Sequence, residues 1–137
     1  MNDVPATSII RFLNMEPHPE GGHFVESHRD EFSTAIYFLL RAGEASHWHR
    51  VHRSVEIWHF HAGAPLSLEI SSGKASRRSH VLGIDLGADQ KPQITVPAGH
   101  WQTARSLGEW TLVGCTVAPA FEFANFELAA TGWEPED

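Results

Sequence analysis

The sequence predicts an all-β fold, a small antiparallel jelly roll that carries one short N-terminal helix. Segments rich in β-forming residues recur at short intervals, and Gly, Pro, Ser or Asp residues separate them. Helical periodicity is missing between these segments, which argues against the parallel βαβ units of an α/β protein. A jelly roll is one of the few architectures that accommodate such a series of short strands.

The N-terminal helix is predicted over residues 7–15. Thr7 or Ser8 can cap its first turn, and three apolar side chains share one of its faces, namely Ile9, Ile10 and Leu13. Residues 17–22, with the sequence PHPEGG, form a loop because two prolines and two glycines interrupt any regular element. The β-rich part of the chain therefore begins after this loop.

Six segments are predicted as strands because they combine β-forming residues with flanking turn residues. They occupy residues 33–40, 55–62, 65–71, 79–84, 93–97 and 109–117. Residues 65–71 alternate most clearly, since Leu66, Leu68 and Ile70 point to one side and Ser67 and Glu69 to the other. Such alternation indicates a strand with one face in a core.

The bulk composition restricts the class of protein. A chain of 137 residues suits a single domain, and its net charge of −7 argues against a nucleic-acid partner. Cys115 is the only cysteine, so no internal disulfide forms, and it is most simply an inert buried thiol. Neither a secretory signal nor an apolar stretch of membrane-spanning length is present, and a cytoplasmic location without membrane association is expected.

Ten histidines are unusual for this length, and they cluster at residues 47–61. On a strand, His47 and His49 share one face, and pairing of residues 47–50 with 55–61 brings His49 and Glu56 together across a hairpin. Two imidazoles and a carboxylate on one inner face would make a metal site of the facial-triad kind. Alternatively, a His–Glu pair could transfer protons, with the carboxylate orienting the imidazole ring.

Other residues are candidates for the lining of a pocket. Trp58 and Phe60 share the face of Glu56 and either line the pocket or fill the core. Gln102 can form hydrogen bonds with a polar ligand, and Glu20 in the PHPEGG loop and Tyr37 on a central strand are further candidates. The alternative for Tyr37 is a core tyrosine whose hydroxyl is bonded within the protein.

Two sequence motifs carry a family resemblance. His47-x-His49 followed by Glu56-x6-Gly63 resembles the first motif of the cupin superfamily, and Pro97-x-Gly99 resembles the second. The wider sequence, including PEGGHF, HRVHRSVEIWHFHAG and LVGCTVAPAFEFANFEL, is similar to a small single-domain cupin subfamily of unknown function, the fifth cupin group. The resemblance covers residues 7–130, so one cupin domain is expected over residues 1–137.

The resemblance implies a double-stranded β-helix, usually a homodimer, related to sugar-nucleotide epimerases and isomerases. Five tryptophans and eight phenylalanines also favour a homodimer, because aromatic side chains are enriched at interfaces. Gln102 stands where the second motif of a metal-binding cupin has a histidine. Because an amide is a poor ligand for the metals that imidazole favours, any divalent metal is expected to bind weakly.

Three functions remain open at this stage. The first is acid–base catalysis on a small polar molecule such as a sugar, with His49 as base, Glu56 orienting it and Tyr37 as acid; Trp58, Phe60, Gln102 and Glu20 would then bind the ligand. The second is a metal-dependent, oxygenase-like cupin that uses His47, His49 and Glu56. The third is a non-catalytic module that holds a small molecule in the barrel. The family resemblance favours the first.

Overall fold

The computed structural model describes residues 4–74 and 77–135, and it has the two facing antiparallel sheets of a jelly roll. Among these residues there are one α-helix and eleven strands. The predicted all-β class with a single N-terminal helix is therefore confirmed. Within the described residues, no helix is both long enough and apolar enough to cross a membrane.

The elements have the following bounds. The helix is α1 (Ala6–Leu13), and the strands are β1 (Glu16–Pro17), β2 (His23–Arg29), β3 (Thr34–Arg41), β4 (Ala45–Val51), β5 (Val55–Gly63), β6 (Leu66–Ser71), β7 (Arg78–Leu82), β8 (Gln93–Val96), β9 (Trp101–Ser106), β10 (Trp110–Ala118) and β11 (Phe126–Leu128). One sheet has the order β1-β2-β3-β10-β5-β8, and the other has the order β11-β4-β9-β6-β7. Consecutive strands β4 and β5 thus lie in opposite sheets.

The main core fills the space between the two sheets. The predicted alternation of β6 is confirmed, since Leu66, Leu68 and Ile70 are buried while Ser67 and Glu69 are only partly covered. These three side chains pack with inward residues of the other sheet, among them Phe38, Leu40, Trp58, Val113 and Cys115. Burial of side chains of this size stabilises the fold by roughly 1.5–3 kcal/mol each.

The helix covers the outer face of the six-stranded sheet. Ile9 of α1 joins a second apolar cluster, which contains Met15, Leu39, Trp110 and Leu112. Leu39 belongs to this cluster while its neighbours Phe38 and Leu40 belong to the main core, as expected for alternating side chains on a strand. The helix is thus anchored by its apolar face, as the sequence predicts.

The start of the helix differs from the prediction. It begins at Ala6 directly after Pro5, and no side chain caps it, so the predicted cap by Thr7 or Ser8 is wrong. It ends at Leu13 because Asn14 adopts a left-handed conformation with φ of 56°, which closes the last turn.

Four strands were not predicted from the sequence, namely β1, β2, β9 and β11, and the reason is clearest for β2 and β11. β2 has the sequence HFVESHR and is mostly exposed toward its end, so it lacks the apolar alternation that marks a half-buried strand. β11 is only three residues long. Both owe their conformation to pairing with longer neighbours, β2 with β3 and β11 with β4.

Candidate functional site

A cavity of about 50 Å³ lies inside the barrel, between the two sheets. Its polar walls combine two histidines, two buried carboxyl groups and a thiol, namely His18, Glu20, His49, Glu56 and Cys115. Its remaining walls are mainly apolar and include Phe24, Ile36, Val51, Val117, Phe121 and Phe126. An apolar cavity in which a few ionisable groups converge is the usual form of a small-molecule site.

His49 occupies the centre of the polar wall, and both of its ring nitrogens have partners. Nε2 lies 2.9 Å from Oε2 of Glu20, and Nδ1 lies 2.7 Å from the carbonyl oxygen of His47. The side chain is 1% exposed. Because the carbonyl oxygen can only accept, Nδ1 carries a proton, and Nε2 faces the carboxylate as a second donor.

Glu20 reaches this position from the loop that precedes β2. Its carboxylate also accepts a hydrogen bond from the hydroxyl of Ser46, and Nδ1 of His18 lies 3.3 Å from Oε1. The loop is fastened to β4 by the amide of His47, which donates to the carbonyl of Glu20 at 2.7 Å. Gly21 is required here, since its φ is +110° and a Cβ at this position would lie 2.1 Å from the carbonyl oxygen of Ala45.

The electrostatics favour the ionised pair of His49 and Glu20. Burial opposes both charges, but the attraction of Glu20 and its hydrogen bond raise the pKa of His49 to about 9. In the same way, burial would raise the pKa of Glu20, yet His49 and the hydrogen bonds from His49 and Ser46 hold it below its usual range. Burial lowers the pKa of His18, against the attraction of Glu20, so this second imidazole stays neutral near pH 7.

Glu56 comes from the opposite sheet and faces the same cavity. Its Oε1 accepts a hydrogen bond of 2.8 Å from Nε2 of Gln102, and Oε1 of Gln102 accepts one of 2.7 Å from Nε1 of Trp58. Burial, together with repulsion from Glu20, raises the pKa of Glu56 to about 7 despite the attraction of His49. Glu56 is therefore a carboxyl group that changes its protonation state near neutral pH.

Cys115 lies beside Glu56 on β10. The thiol lines the cavity with Glu56, and burial together with the Glu56 and Glu20 carboxylates raises the pKa of Cys115. The thiol is therefore protonated at neutral pH, which agrees with the predicted buried and unreactive cysteine.

Three phenylalanines of the segment 119–126 line the cavity, namely Phe121, Phe123 and Phe126. Arg29 on β2 donates to both carboxylate oxygens of Glu26, at 2.9 and 3.0 Å, and to the carbonyl oxygen of Phe121 at 2.9 Å. The amide of Phe121 also donates to the hydroxyl of Thr34. These bonds anchor the backbone of Phe121, whose ring contacts those of Phe123 and Phe126, and Phe123 and Phe126 also contact each other.

The predicted convergence of His49, Glu56 and Gln102 is present in the structure, but the predicted route is wrong. His49 on β4 is the register partner of Gln102 on β9, while Glu56 on β5 reaches Gln102 from the other sheet. β4 and β5 do not pair as a hairpin, so Glu56 does not bond to His49. The carboxylate that orients His49 is Glu20, which the sequence analysis assigned to ligand binding.

His47 lies apart from this cluster. The pairing of β4 with β9 shifts register between Ser46 and His49, and this bulge places Ser46 and His49 in the buried site while His47 is exposed. The predicted shared face of His47 and His49 is therefore wrong. A bulge inserts one residue into a strand and interrupts the alternation on which the prediction depended.

Tyr37 lies on the outer face of the six-stranded sheet, where its ring contacts His61 and its side chain is exposed. The predicted role as an acid in the pocket is therefore wrong, because the inward residues of β3 are the neighbouring Ile36 and Phe38. Trp58 is buried in the core and meets the site through Gln102. Phe60 is half-buried against the core and lines a cleft on the outside, away from the cavity.

Sequence reasoning missed three contributors to the site, namely His18, Ser46 and the aromatic residues of 119–126. His18 was detectable in principle, since it stands two residues before Glu20 in the PHPEGG segment. Ser46 gave no signal, because a serine next to a predicted strand is commonplace. The aromatic loop was part of the family resemblance, but its position over the cavity depends on tertiary contacts.

The donor set does not fit the metal centre of a metal-binding cupin. Within the described residues, no group of three or more His, Cys, Asp or Glu side chains is arranged to hold a metal ion. Both nitrogens of His49 are engaged in hydrogen bonds, and His47 is exposed. Gln102 directs its amide nitrogen, a donor without metal affinity, at Glu56. The arrangement is suited to proton exchange.

The comparisons with known proteins agree on the family and the fold. The family model described as cupin superfamily (DUF985) matches residues 7–129. A crystal structure of a protein from Shewanella oneidensis is 39% identical, with a TM-score of 0.88 over 93% of this chain and 85% of that chain. A hypothetical protein from Leishmania major is 28% identical, with a TM-score of 0.84 over 93% and 88% of the two chains.

A more distant similarity concerns the fold alone. A dTDP sugar isomerase from Desulfovibrio desulfuricans is 10% identical, with a TM-score of 0.65 over 82% of this chain and 83% of that chain. No curated protein matches the chain.

Proposed function

The chain belongs to the cupin superfamily, in the family described as DUF985, and on this basis we propose that it binds a small polar molecule in its barrel and transfers a proton on that molecule. The proposed chemistry is that of an isomerase or epimerase acting on a sugar-type substrate. Cupin-fold neighbours of this chain include a sugar isomerase, which supports the proposal at the level of the fold.

The observation that carries the proposal is the state of Glu56. This carboxyl group is 8% exposed, lines the cavity and has a pKa raised to about 7, chiefly by burial. A general base or acid works best when its pKa lies near the working pH, because both protonation states are then populated. A buried carboxyl group of this kind in a cavity is typical of a catalytic acid or base.

His49, paired with Glu20, takes a different role from that of the base expected from the sequence. His49 remains an imidazolium at neutral pH, and its two N–H groups point at Glu20 and at the carbonyl of His47. It is therefore the positive member of a fixed ion pair in the wall of the cavity, and Glu20 compensates its charge. The dipole of such a preorganised pair acts on charge that develops on a bound molecule.

The proposed reaction is a proton shift next to a carbonyl group. The Glu56 carboxylate removes a proton from the adjacent carbon, which also carries a hydroxyl group. The electron pair of that C–H bond forms a C=C bond, and the π pair of the carbonyl group moves onto its oxygen to give an enediolate. The hydroxyl proton then passes to this oxygen and Glu56 returns its own proton to the former carbonyl carbon, so that the carbonyl group has moved to the adjacent carbon and the isomer is formed. An epimerase would return a proton from the other face, and neutral His18 in the cavity wall is the candidate donor.

The size of the cavity restricts what enters it. About 50 Å³ accommodates the reacting group of a substrate, while the remainder extends through the mouth past Phe121 and Phe123. The apolar walls suit a molecule that has C–H surface as well as polar groups. Sugars with a carbonyl group, free or linked to a nucleotide, meet both requirements.

Isotope exchange tests the reaction directly. A panel of aldoses, ketoses, their phosphates and dTDP-sugars is first screened by thermal shift, where a ligand at a hundred times its dissociation constant stabilises the fold by about 2.7 kcal/mol. Each ligand found is then incubated with the protein in D₂O and examined by NMR. The proposal predicts deuterium at the carbon next to the carbonyl, and none with Glu56→Gln, which keeps the shape of the side chain.

A non-catalytic binding module is the second candidate, and one observation favours it. Both nitrogens of His49 are already bonded within the protein, as in a site built to hold a ligand in one orientation. Ligands that bind equally to the unmodified protein and to Glu56→Gln, with no deuterium incorporated by either, would establish this function and exclude the isomerase.

We also propose that the chain forms a homodimer. Ile84, which is 72% exposed, lines the cleft that contains Phe60, and Leu86 two residues along the chain is 64% exposed; a second copy would remove this apolar surface from water. Sedimentation at micromolar concentration tests this proposal. A purely monomeric species would contradict it.

A further inference from the structure

A chain of two hydrogen bonds connects the core tryptophan to the ionisable carboxyl group. Nε1 of Trp58 donates to Oε1 of Gln102 at 2.7 Å, and Nε2 of Gln102 donates to Oε1 of Glu56 at 2.8 Å. Trp58 and Gln102 are each 1% exposed. Water does not compete for these bonds, so their directions are determined by the three side chains.

The direction of this chain follows from the chemistry of indole. An indole nitrogen is a donor only, so the atom of Gln102 that meets it must be the carbonyl oxygen. The amide nitrogen of Gln102 then necessarily faces Glu56. Rotation of the amide by half a turn would set two N–H donors, one from Trp58 and one from Gln102, against each other in a buried site, which costs the full penalty of an unsatisfied group.

We propose that Trp58 is a positioning residue that fixes the Gln102 amide as a hydrogen-bond donor to Glu56, so that Oε2 of Glu56 is the oxygen that gains and loses the proton. The assignment of Oε2 as the reacting oxygen rests on the proposed function. The effect of Trp58 on the protonation of Glu56 does not depend on it. Oε1 accepts from Gln102 whether Glu56 is ionised or neutral.

Loss of the indole removes this constraint. In Trp58→Phe the Gln102 amide is free to turn, and its carbonyl oxygen can then accept the proton of neutral Glu56. The neutral form gains a hydrogen bond that it lacks in the unmodified protein, while the ionised form gains nothing. The titration midpoint of Glu56 should therefore rise. The other titratable groups in the wall of the cavity are unchanged by this substitution, namely His18, Glu20, Glu26, Arg29, His49 and Cys115.

The experiment measures Glu56 by carbon-13 NMR of the side-chain carboxyl group in the full-length protein. We expect Trp58→Phe to raise the midpoint by about one pH unit, the size of one buried hydrogen bond to a carboxyl group. In the background of Gln102→Leu, which has no amide to turn, the same change should cause no shift. Trp101→Phe is the matched control, because Trp101 is another buried indole that stacks on Trp133 away from the cavity.

Two results would overturn the inference. One is an unchanged midpoint in folded Trp58→Phe, and the other is an equal shift in the presence and absence of the Gln102 amide, which would reveal a direct effect of the indole on Glu56. If Trp58→Phe does not fold, the unmodified protein provides the test. The side-chain nitrogen of Gln102 should then titrate with the midpoint of Glu56, and failure to do so would contradict the hydrogen-bond chain.

The test is independent of the proposed function because no substrate is present. The expected shifts without deuterium exchange would support the positioning role of Trp58 and contradict the isomerase. Deuterium exchange without a shift would support the isomerase and contradict the positioning role.

Discussion

His49 Nε2 lies 2.9 Å from Glu20 Oε2 inside the barrel, and neither side chain has more than 8% of its surface exposed. The carboxylate comes from the loop before β2, and the imidazole comes from β4. Their contact therefore connects the N-terminal segment to the five-stranded sheet by a pair of opposite charges. A buried pair of this kind stabilises the fold only while both members are ionised, which gives it a dependence on pH.

We expect the free energy of unfolding to fall as the pH rises from 4.5 to 9, because the raised pKa values of two buried groups outweigh the opposite effect of His18 and His59, whose pKa values are lowered. The pKa of His49 is raised from 6.5 to about 9, so its contribution is complete below pH 6.5 and is lost by about pH 9. The pKa of Glu56 is raised from 4.5 to about 7, so its contribution is lost in the same direction between these values. Each loss is on the order of 3 kcal/mol, since one pKa unit corresponds to about 1.4 kcal/mol.

Urea unfolding at a series of pH values measures this dependence. Glu56→Gln serves as the reference, because glutamine resembles the protonated carboxyl group and does not titrate. In this variant the free energy of unfolding should still decrease above pH 7, but most of its decrease below pH 7 should be absent. A stability that is constant from pH 5 to 9 would contradict the buried, shifted groups.

Glu20→Gln should destabilise the protein by about 3 kcal/mol at pH 6. This value lies at the lower end of the range for broken buried ion pairs, because His49 can release its proton and so avoid an unpaired buried charge. Burial, the largest influence on His49, then lowers its pKa against only the weaker attraction of Glu56 and the bond to the His47 carbonyl, so the decrease in the free energy of unfolding above pH 6.5 should become smaller. The matched control is Glu127→Gln, which removes an exposed carboxylate that bonds Arg50 and His52 at 2.9 Å. Exposed pairs contribute little, and equal losses in both variants would contradict the importance of burial.

Much of the fold was predictable because its strands carry local signals. The alternation of Leu66, Leu68 and Ile70 specifies the buried face of β6 without reference to any other strand. The convergence of His49, Glu56 and Gln102 was predictable because the two sequence motifs belong to strands that enclose one barrel. These features depend on residue type and spacing within a segment, which a single sequence displays directly.

The details of the site depend on contacts that no local pattern reports. The bulge between Ser46 and His49 exposes His47, and nothing in the sequence ASHWHRV distinguishes a bulged strand from a regular one. The partner of His49 was misassigned because Glu56 is closer in sequence, whereas Glu20 is brought in by a loop that Gly21 allows to approach β4. Tertiary proximity therefore decided which of two carboxylates meets the imidazole.

Divalent metals are expected to bind only weakly. A metal ion bound at Nε2 of His49 would have to displace Glu20 from that nitrogen, and Gln102 offers it no suitable donor atom because its amide nitrogen and oxygen are bonded to Glu56 and Trp58. Equimolar Zn²⁺, Mn²⁺ or Fe²⁺ should leave the melting temperature unchanged, and His47→Ala should behave like the unmodified protein. One tightly held metal per chain in elemental analysis, lost in His49→Ala, would contradict this and restore the oxygenase-like function.

Substitution of Cys115 should change the pKa of Glu56 while the charges around Glu56 stay the same. The Cys115 thiol lies in the wall of the same cavity as Glu56 and is a weak hydrogen-bond donor by its chemistry, whereas a hydroxyl in the same place is a strong donor. Because a donor stabilises the carboxylate more than the neutral acid, Cys115→Ser should lower the pKa of Glu56, and Cys115→Ala, which has no donor, should raise it.

The two variants form a matched pair, since both replace a fully buried sulfur by a smaller group and differ only in one hydroxyl. Carbon-13 NMR of the Glu56 carboxyl group gives the midpoint in each, and we expect the serine variant to titrate about one pH unit below the alanine variant. Once a substrate is known, the acidic limb of its pH–rate profile should move in the same order. Identical midpoints in the two variants would show that the thiol does not bond to Glu56, and an inverted order would show that it accepts a proton from the neutral acid.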